Sequence, residues 1–313
     1  MTGARAAPAR TELALEDRRQ RAVVTTVGAA LRSWTVGGHE LLDTAGAGEP
    51  DDAFRGKVLV PWPNRLRDGR YVFAGAEHRT AVTEPERGTA LHGLATGRRW
   101  RPIRSSTRHL TLVHQVQPEP GYPFSLRVSV DYRLSAGGLV ATLHATNTGT
   151  AAAPFGAGLH PYLSPGAAAV DDLVLQVPAR TRVPLDERLL PTGPPVAVEG
   201  TDLDFRHARR IDAQCLDTCF GDLDRNPAGV ARVRLESAGG ERRLTVWMDA
   251  SFRFVQVYTA DDLPDPERRR GGVAIEPMTC APDAFNSGDG LVVLEPGASF
   301  AGRCGLTAAG FRP

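Results

Sequence analysis

Apolar residues in this chain recur at every second position from one end to the other. That spacing admits strands and leaves little room for long helices. In "SLRVSVDYRL", Leu126, Val128, Val130, Tyr132 and Leu134 fall on one face, and Arg127, Ser129, Asp131 and Arg133 fall on the other. Such a segment reads as a half-buried strand with one wet side. The turn "SAGG" follows, and Leu139, Ala141, Leu143 and Ala145 then alternate again, which predicts an antiparallel hairpin. "RRLTVWMDA" and "RFVQVYTA" carry the same pattern, and shorter candidates are "AVVTTVGAALRSWTV", "RYVFAG", "LTLVHQV", "DLVLQVP" and "ARVRLES". The 33 glycines and 24 prolines punctuate these runs so closely that only 201–226 and the first residues leave space for helical turns.

Many strands, no helical intervals, no fixed-period repeat and no linker predict an all-β protein: a single large antiparallel β-sandwich. Its expected extent is 20–313, with 1–19 as a flexible N-terminal extension. The 313 residues suffice for a substantial core without metals or disulfides. Lys plus Arg number 37 against 36 Asp plus Glu, and the one basic run, "ERRRGG" at 267–272, reads as a solvated loop. Neither a nucleic-acid nor a membrane surface is therefore expected. The four cysteines lack zinc-like spacing and read as small buried hydrophobes. No N-terminal apolar segment is long enough for a signal peptide or anchor, so the expected location is cytoplasmic, as a monomer or homodimer.

Four stretches interrupt the apolar pattern with reactive side chains. In "VLVPWPNRL", Pro61 and Pro63 take the chain out of the ladder and present Asn64 and Arg65, a guanidinium suited to vicinal hydroxyls or a carboxylate. "ALHG" places His92 in a turn, and "GLHPYL" clamps His160 before Pro161. In "VAIEPMTCAPDAFNSG", the buried run Val273–Ile275 ends on Glu276, locked against Pro277. A carboxylate there is costly unless it is paired or used. Glu295 also precedes a proline but enters a turn directly and reads as solvated. Taken singly, Arg65 as an ordinary ion-pair partner and His92 and His160 as packing residues are the plainer readings, and a structural salt bridge at Glu276 weighs as much as function.

Taken in order, "PWPNRLRDGRY", "ALHG", "GYPF", "GLHPYL", "LDTCF" and "IEPMTCAPDAFNSG" resemble the aldose 1-epimerase (galactose mutarotase) family, in its bacterial branch with "PWPNR" and "HPY". The likeness runs from about residue 20 to about 306. It implies a sugar-binding β-sandwich, with His160 as general acid, Glu276 as general base, His92 near the ring oxygen, and Arg65 and Asp217 on sugar hydroxyls. Asn64, Trp62, Tyr162 and Phe285 are further candidates for sugar contact, with core packing the plainer role for the three aromatics, and Asn286 for shaping the loop under Glu276. Two positions depart from the family. Thr218 stands where a histidine often follows the aspartate, and "PERGTALHG" lacks a common asparagine. Both bear on which sugar is bound more than on the chemistry.

Mutarotation interconverts α and β anomers through the open-chain aldehyde and needs a reversible acid–base pair but no cofactor. Ordinary pKa values of about 4.3 and 6.5 would leave Glu276 ionised and let His160 carry a proton after a small upward shift. The expected partner is a small-molecule aldose. Two alternatives stay open: a hexose-6-phosphate 1-epimerase, using Arg67, Arg98 or Arg99 for the phosphate, and a non-catalytic sugar-binding protein.

Overall fold

The computed structural model describes residues 11–44, 53–166 and 169–312. Two large antiparallel sheets dominate it. The first has nine strands, in the spatial order Arg101–Ser105, His109–Val116, Leu126–Ser135, Gly138–Asn147, Ser299–Ala309, Arg243–Met248, Ala231–Glu236, Val174–Gln176 and Arg209–Arg210. The predicted hairpin is there, with Ser135 opposite Gly138 across its turn. Leu126, Val128, Val130, Tyr132 and Leu134 are all buried, while Arg127, Arg133 and Ser135 face solvent. Each such side chain is worth about 1.5–3 kcal/mol when withdrawn from water, so a one-residue slip would forfeit five of them and the register is firmly set.

The second sheet has eight strands. Val196–Ala197, Ala179–Arg182, Asp217–Leu223, Phe254–Tyr258, Val273–Met278, Gly158–Leu159 and Val58–Leu59 lie side by side, and Tyr162–Leu163 also pairs with Val273–Met278. The sheets pack face to face: Leu139, Val246 and Cys304 of the first and Leu159 and Pro277 of the second line one narrow cavity of about 20 Å³. Unlike its partner, the second sheet is covered on both sides. Along Val273–Met278, Val273 and Ile275 belong to the main core. On the opposite side, Ala274 joins a small apolar group with Tyr162, Ala260 and Leu263, and Met278 joins another with Val183, Cys219 and Phe254. Glu276 is wedged between these two groups.

Several expectations need correction. The long strand Ser299–Ala309 is central to the nine-stranded sheet, yet Gly302 and Gly305 blank out its alternation. A Cβ on Gly305 would lie 2.7 Å from the Trp247 ring and 2.6 Å from the Leu139 carbonyl, so close packing demands the glycine. The 201–226 segment holds strands, and the described helical turns are Val170–Asp172, Pro266–Arg268 and Ala284–Ser287. Residues 12–17 of the expected flexible extension form the strand Glu12–Asp17, fixed by pairing with Gln20–Thr25, while 1–10 lie outside the described residues. The basic run is stitched down: Arg268 pairs with Asp43, and Arg270 with Asp171 and Asp261. Cys215 is exposed and donates to Asp261, whereas the other three cysteines are buried. Among the described residues no helix is long and apolar enough to cross a membrane.

Candidate active site

On the outer face of the eight-stranded sheet, neighbouring strands present Asp217, Gln256 and Glu276 in adjacent positions. Gln256 is the direct cross-strand partner of Glu276. This row floors a cleft of about 290 Å³ that is also lined by Phe54, Asn64, Arg65, His92, His160 and Tyr162. Segments distant in sequence thus converge as the four motifs predict. Trp62 does not join them. Its indole N–H donates to the Ala90 carbonyl at 3.2 Å, and its ring packs on Tyr122 and Phe285 in the core. Phe285 is likewise buried among Trp62, Tyr71 and Tyr122. Burial of these large rings outweighs any gain from facing the wet cleft.

Two residues in left-handed backbone conformation, Asn64 (φ 59°) and His92 (φ 60°), lock to each other. The His92 N–H donates to the Asn64 carbonyl at 2.9 Å, and the Asn64 N–H donates to His92 Nδ1 at 3.1 Å. A backbone amide can only donate, so Nδ1 is the bare nitrogen of His92 and Nε2 carries the proton. Burial, and then the charges of His160, Arg65 and Lys57, hold the His92 pKa well below its ordinary value, so the ring is neutral. His92, His160 and Glu276 lie close enough to surround a metal ion. The donor set fits one poorly, because a ligating imidazole donates from its second nitrogen, and His92 accepts there. What His92 offers the cleft is a hydrogen-bond donor.

His160 Nε2 stands 3.3 Å from Glu276 Oε1, with both side chains almost wholly buried. The imidazole is sandwiched: Tyr162 stacks on it at 5.1 Å, with Phe54 6.3 Å away, and His92 meets it edge-on. Oε2 of Glu276 is buried without a hydrogen-bond partner. Desolvation first, and then the Asp217 charge, push the Glu276 pKa well above the carboxylate range, only partly opposed by Arg65. The ordinary pKa expected for Glu276 is therefore corrected. It is a far stronger base than a solvated glutamate, with an acceptor oxygen awaiting a donor.

Arg65 makes the ion pair that is the plainer reading of its sequence. Its fork is taken by Glu84, with Nε to Oε2 at 2.8 Å and Nη2 to Oε1 at 2.9 Å, which leaves Nη1 3.7 Å from Asp217. Burial opposes its charge, but the Glu84 hydrogen bonds and Asp217 outweigh it and raise its pKa. Asp217 is raised by burial, against Arg65 and an accepted hydrogen bond from Gln256. Gln256 also accepts from the Asn64 amide at 3.2 Å and so ties the floor together. Asn286, read as a turn-former, lies in the helical turn Ala284–Ser287 and donates to Asp283 and the Arg70 carbonyl. Phe54, Glu84, Arg87, Gln256, Tyr258 and Asp262 are among the cleft residues that sequence reasoning missed. Arg67, Arg98 and Arg99 do not line the cleft: Arg67 is held by Asp283 and Arg98 by Glu119.

The aldose 1-epimerase family model matches residues 12–307. The uncharacterized protein YihR of Escherichia coli K12 is 36% identical over 280 residues, covering 88% of this chain and 86% of that protein. Mouse galactose mutarotase is 31% identical over 213 residues, covering 65% of this chain and 59% of that protein. Among solved structures, a GalM/aldose epimerase homologue from C. elegans superposes with a TM-score of 0.85 at 20% identity, over 96% of this chain and 99% of that one. Galactose 1-epimerase from Lactobacillus acidophilus NCFM gives 0.80 at 22%, over 96% and 94%. With the shared sandwich fold and a match that spans nearly the whole sequence, the chain belongs to the aldose 1-epimerase family.

Proposed function

We propose that this protein is an aldose 1-epimerase that interconverts the α and β anomers of a free aldohexose, with Glu276 and His160 as the reacting pair. The observation that carries this reading is the 3.3 Å approach of His160 Nε2 to Glu276 Oε1 on the buried floor. The two oxygens handled in mutarotation, the anomeric hydroxyl and the ring oxygen, are bonded to one carbon. The groups that serve them must therefore be neighbours.

Glu276 removes the proton from the C1 hydroxyl while His160 protonates the ring oxygen. The bond from C1 to the ring oxygen breaks, leaving an aldehyde at C1 and a hydroxyl at C5. After rotation about C1–C2, His160 takes the proton back from the C5 hydroxyl and Glu276 returns one to the carbonyl oxygen as the ring closes on the other face. The acid and base have exchanged roles and the pair is restored. The His92 Nε2–H donates near the ring oxygen, and Arg65 Nη1, Asp217 and Asn64 hold hydroxyls farther along the ring. Tyr162 fixes the His160 plane.

A neutral sugar suits the charge balance. Among the described residues, both arginines lining the cleft, Arg65 and Arg87, are already paired with Glu84, and Asp217, Asp262 and Glu276 add negative charge. A phosphorylated hexose would find no unclaimed cation among them. Polarimetry of freshly dissolved α-glucose and α-galactose tests the proposal. Acceleration over buffer that Glu276→Gln abolishes is expected, and sugar binding without acceleration would make the protein a binding module instead.

A further inference from the structure

We infer that the ion pair between Arg87 and Asp262 is a specificity device that shuts the outer end of the cleft, so that single-ring sugars are favoured over the reducing ends of oligosaccharides. The inference rests on the aldose reading of the cleft.

Depth orients the sugar. The Glu276 and His160 side chains are 3% and 5% exposed, whereas Arg87 is 24% and Asp262 59% exposed. The anomeric carbon therefore sits at the floor, and the far side of the ring points to the mouth. Arg87 lies on the connection between Ala76–Arg79 and Thr89–Leu91, and Asp262 on that between Phe254–Tyr258 and Val273–Met278. Residues of both connections line the cleft. The Arg87 guanidinium spans them, with Nη2 3.2 Å from Asp262 Oδ2 and Nη1 3.2 Å from Glu84 Oε1.

An isolated exposed pair opens easily, but this one is part of a network. Asp262 also accepts from the Tyr258 hydroxyl, and Glu84 is held by Arg65 and by Thr89 at 2.6 Å. Alternating charges thus run without a break from Asp217 on the floor through Arg65, Glu84 and Arg87 to Asp262 at the rim. The cleft that Arg87 and Asp262 of this strap help to line holds about 290 Å³, room for a free hexose. A glycosidically linked second ring must leave through the mouth and part the strap.

The test compares kcat/KM for mutarotation of α-maltose and α-glucose in the wild type, Asp262→Asn and Asp262→Ala. Asp262→Asn removes the charge and keeps the shape, and Asp262→Ala also opens space. The maltose-to-glucose ratio should rise about three- to tenfold in both variants, the range expected for breaking a networked ion pair. In the wild type the ratio should also rise between low salt and about 0.5 M salt, where screening weakens exposed charges. In Asp262→Asn it should not. A ratio within about twofold of wild type in both variants overturns the gate while leaving the epimerase reading intact. If the wild type does not accelerate glucose at all, that reading fails instead. The relative affinities of the two sugars, measured by NMR titration, then still report whether the strap excludes the second ring.

Discussion

Among the described residues, histidine meets a buried or half-buried carboxylate on each large sheet, at Asp131 on one and at Glu276 on the other, and the two settings have opposite electrostatics. On the face of the nine-stranded sheet turned away from the other sheet, His109 Nε2 lies 2.6 Å from Asp131 Oδ1, which also accepts from Thr111 at 2.6 Å, with His144 3.6 Å from Oδ2. Burial would raise the Asp131 pKa, but the Thr111 and His109 hydrogen bonds outweigh it and hold the carboxyl below its ordinary value. In the cleft, His160 and Glu276 stand farther apart, one carboxylate oxygen has no partner, and the pKa goes the other way. The same residue types give a carboxyl held low where hydrogen bonds reach it, at Asp131, and one pushed high where an oxygen is buried without them, at Glu276. The missing hydrogen bond is what distinguishes the two.

The strongest attack on this contrast is Glu276→Gln. Loss of the base should lower kcat by about 10³-fold, within the range general acid–base groups contribute. It should also raise Tm at neutral pH, because the raised pKa means the folded state loses stability as pH climbs through that value and Gln has no charge to bury. A fall in Tm would show Glu276 to be structural. Next, His160→Asn should lower kcat about 10²-fold or more with little change in sugar affinity. An equal loss in both would make the imidazole a binding group only.

Acidity sharpens the comparison further. Glu276 acts as a base only when ionised, so kcat/KM should fall on acidification at a pH above the ordinary carboxylate range. Asp217→Asn, which removes the neighbouring charge that raises Glu276, should move that limb to lower pH. An unmoved limb would assign it to another group. Least in size is Asp131→Asn, which should cost about 1 kcal/mol and a few degrees of Tm while leaving kcat unchanged. Its contribution has the reverse pH sign: present above about pH 3.8, the unfolded value, and lost as pH falls through the depressed folded value. A large loss of activity would tie the two sheets together in a way the geometry does not.

The contrast also explains what could be read in the sequence. The central strands of the nine-stranded sheet are wet on one side, so period two spells out most of them; the glycines hid Ser299–Ala309, and the edge strands Arg101–Ser105 and Arg209–Arg210 bury too little to alternate. Glu276 was legible because it breaks an apolar run. Gln256 was not, since a polar residue between Val255 and Val257 looks like ordinary solvent-facing alternation until the covering loops bury it. Glu84, in the polar run "TEPERG", gives no local sign that it clamps Arg65. Trp62 was misplaced because the prolines around it and the left-handed turn at Asn64 destroy the parity by which a side chain's direction is counted.

The mutual lock of Asn64 and His92 bears on how such a cleft can diverge. The group that fixes the His92 proton is a main-chain amide, which no exchange short of proline at position 64 can delete. Drift in the walls and rim can therefore alter which sugar is admitted, while the polarity of this inner nitrogen is inherited intact.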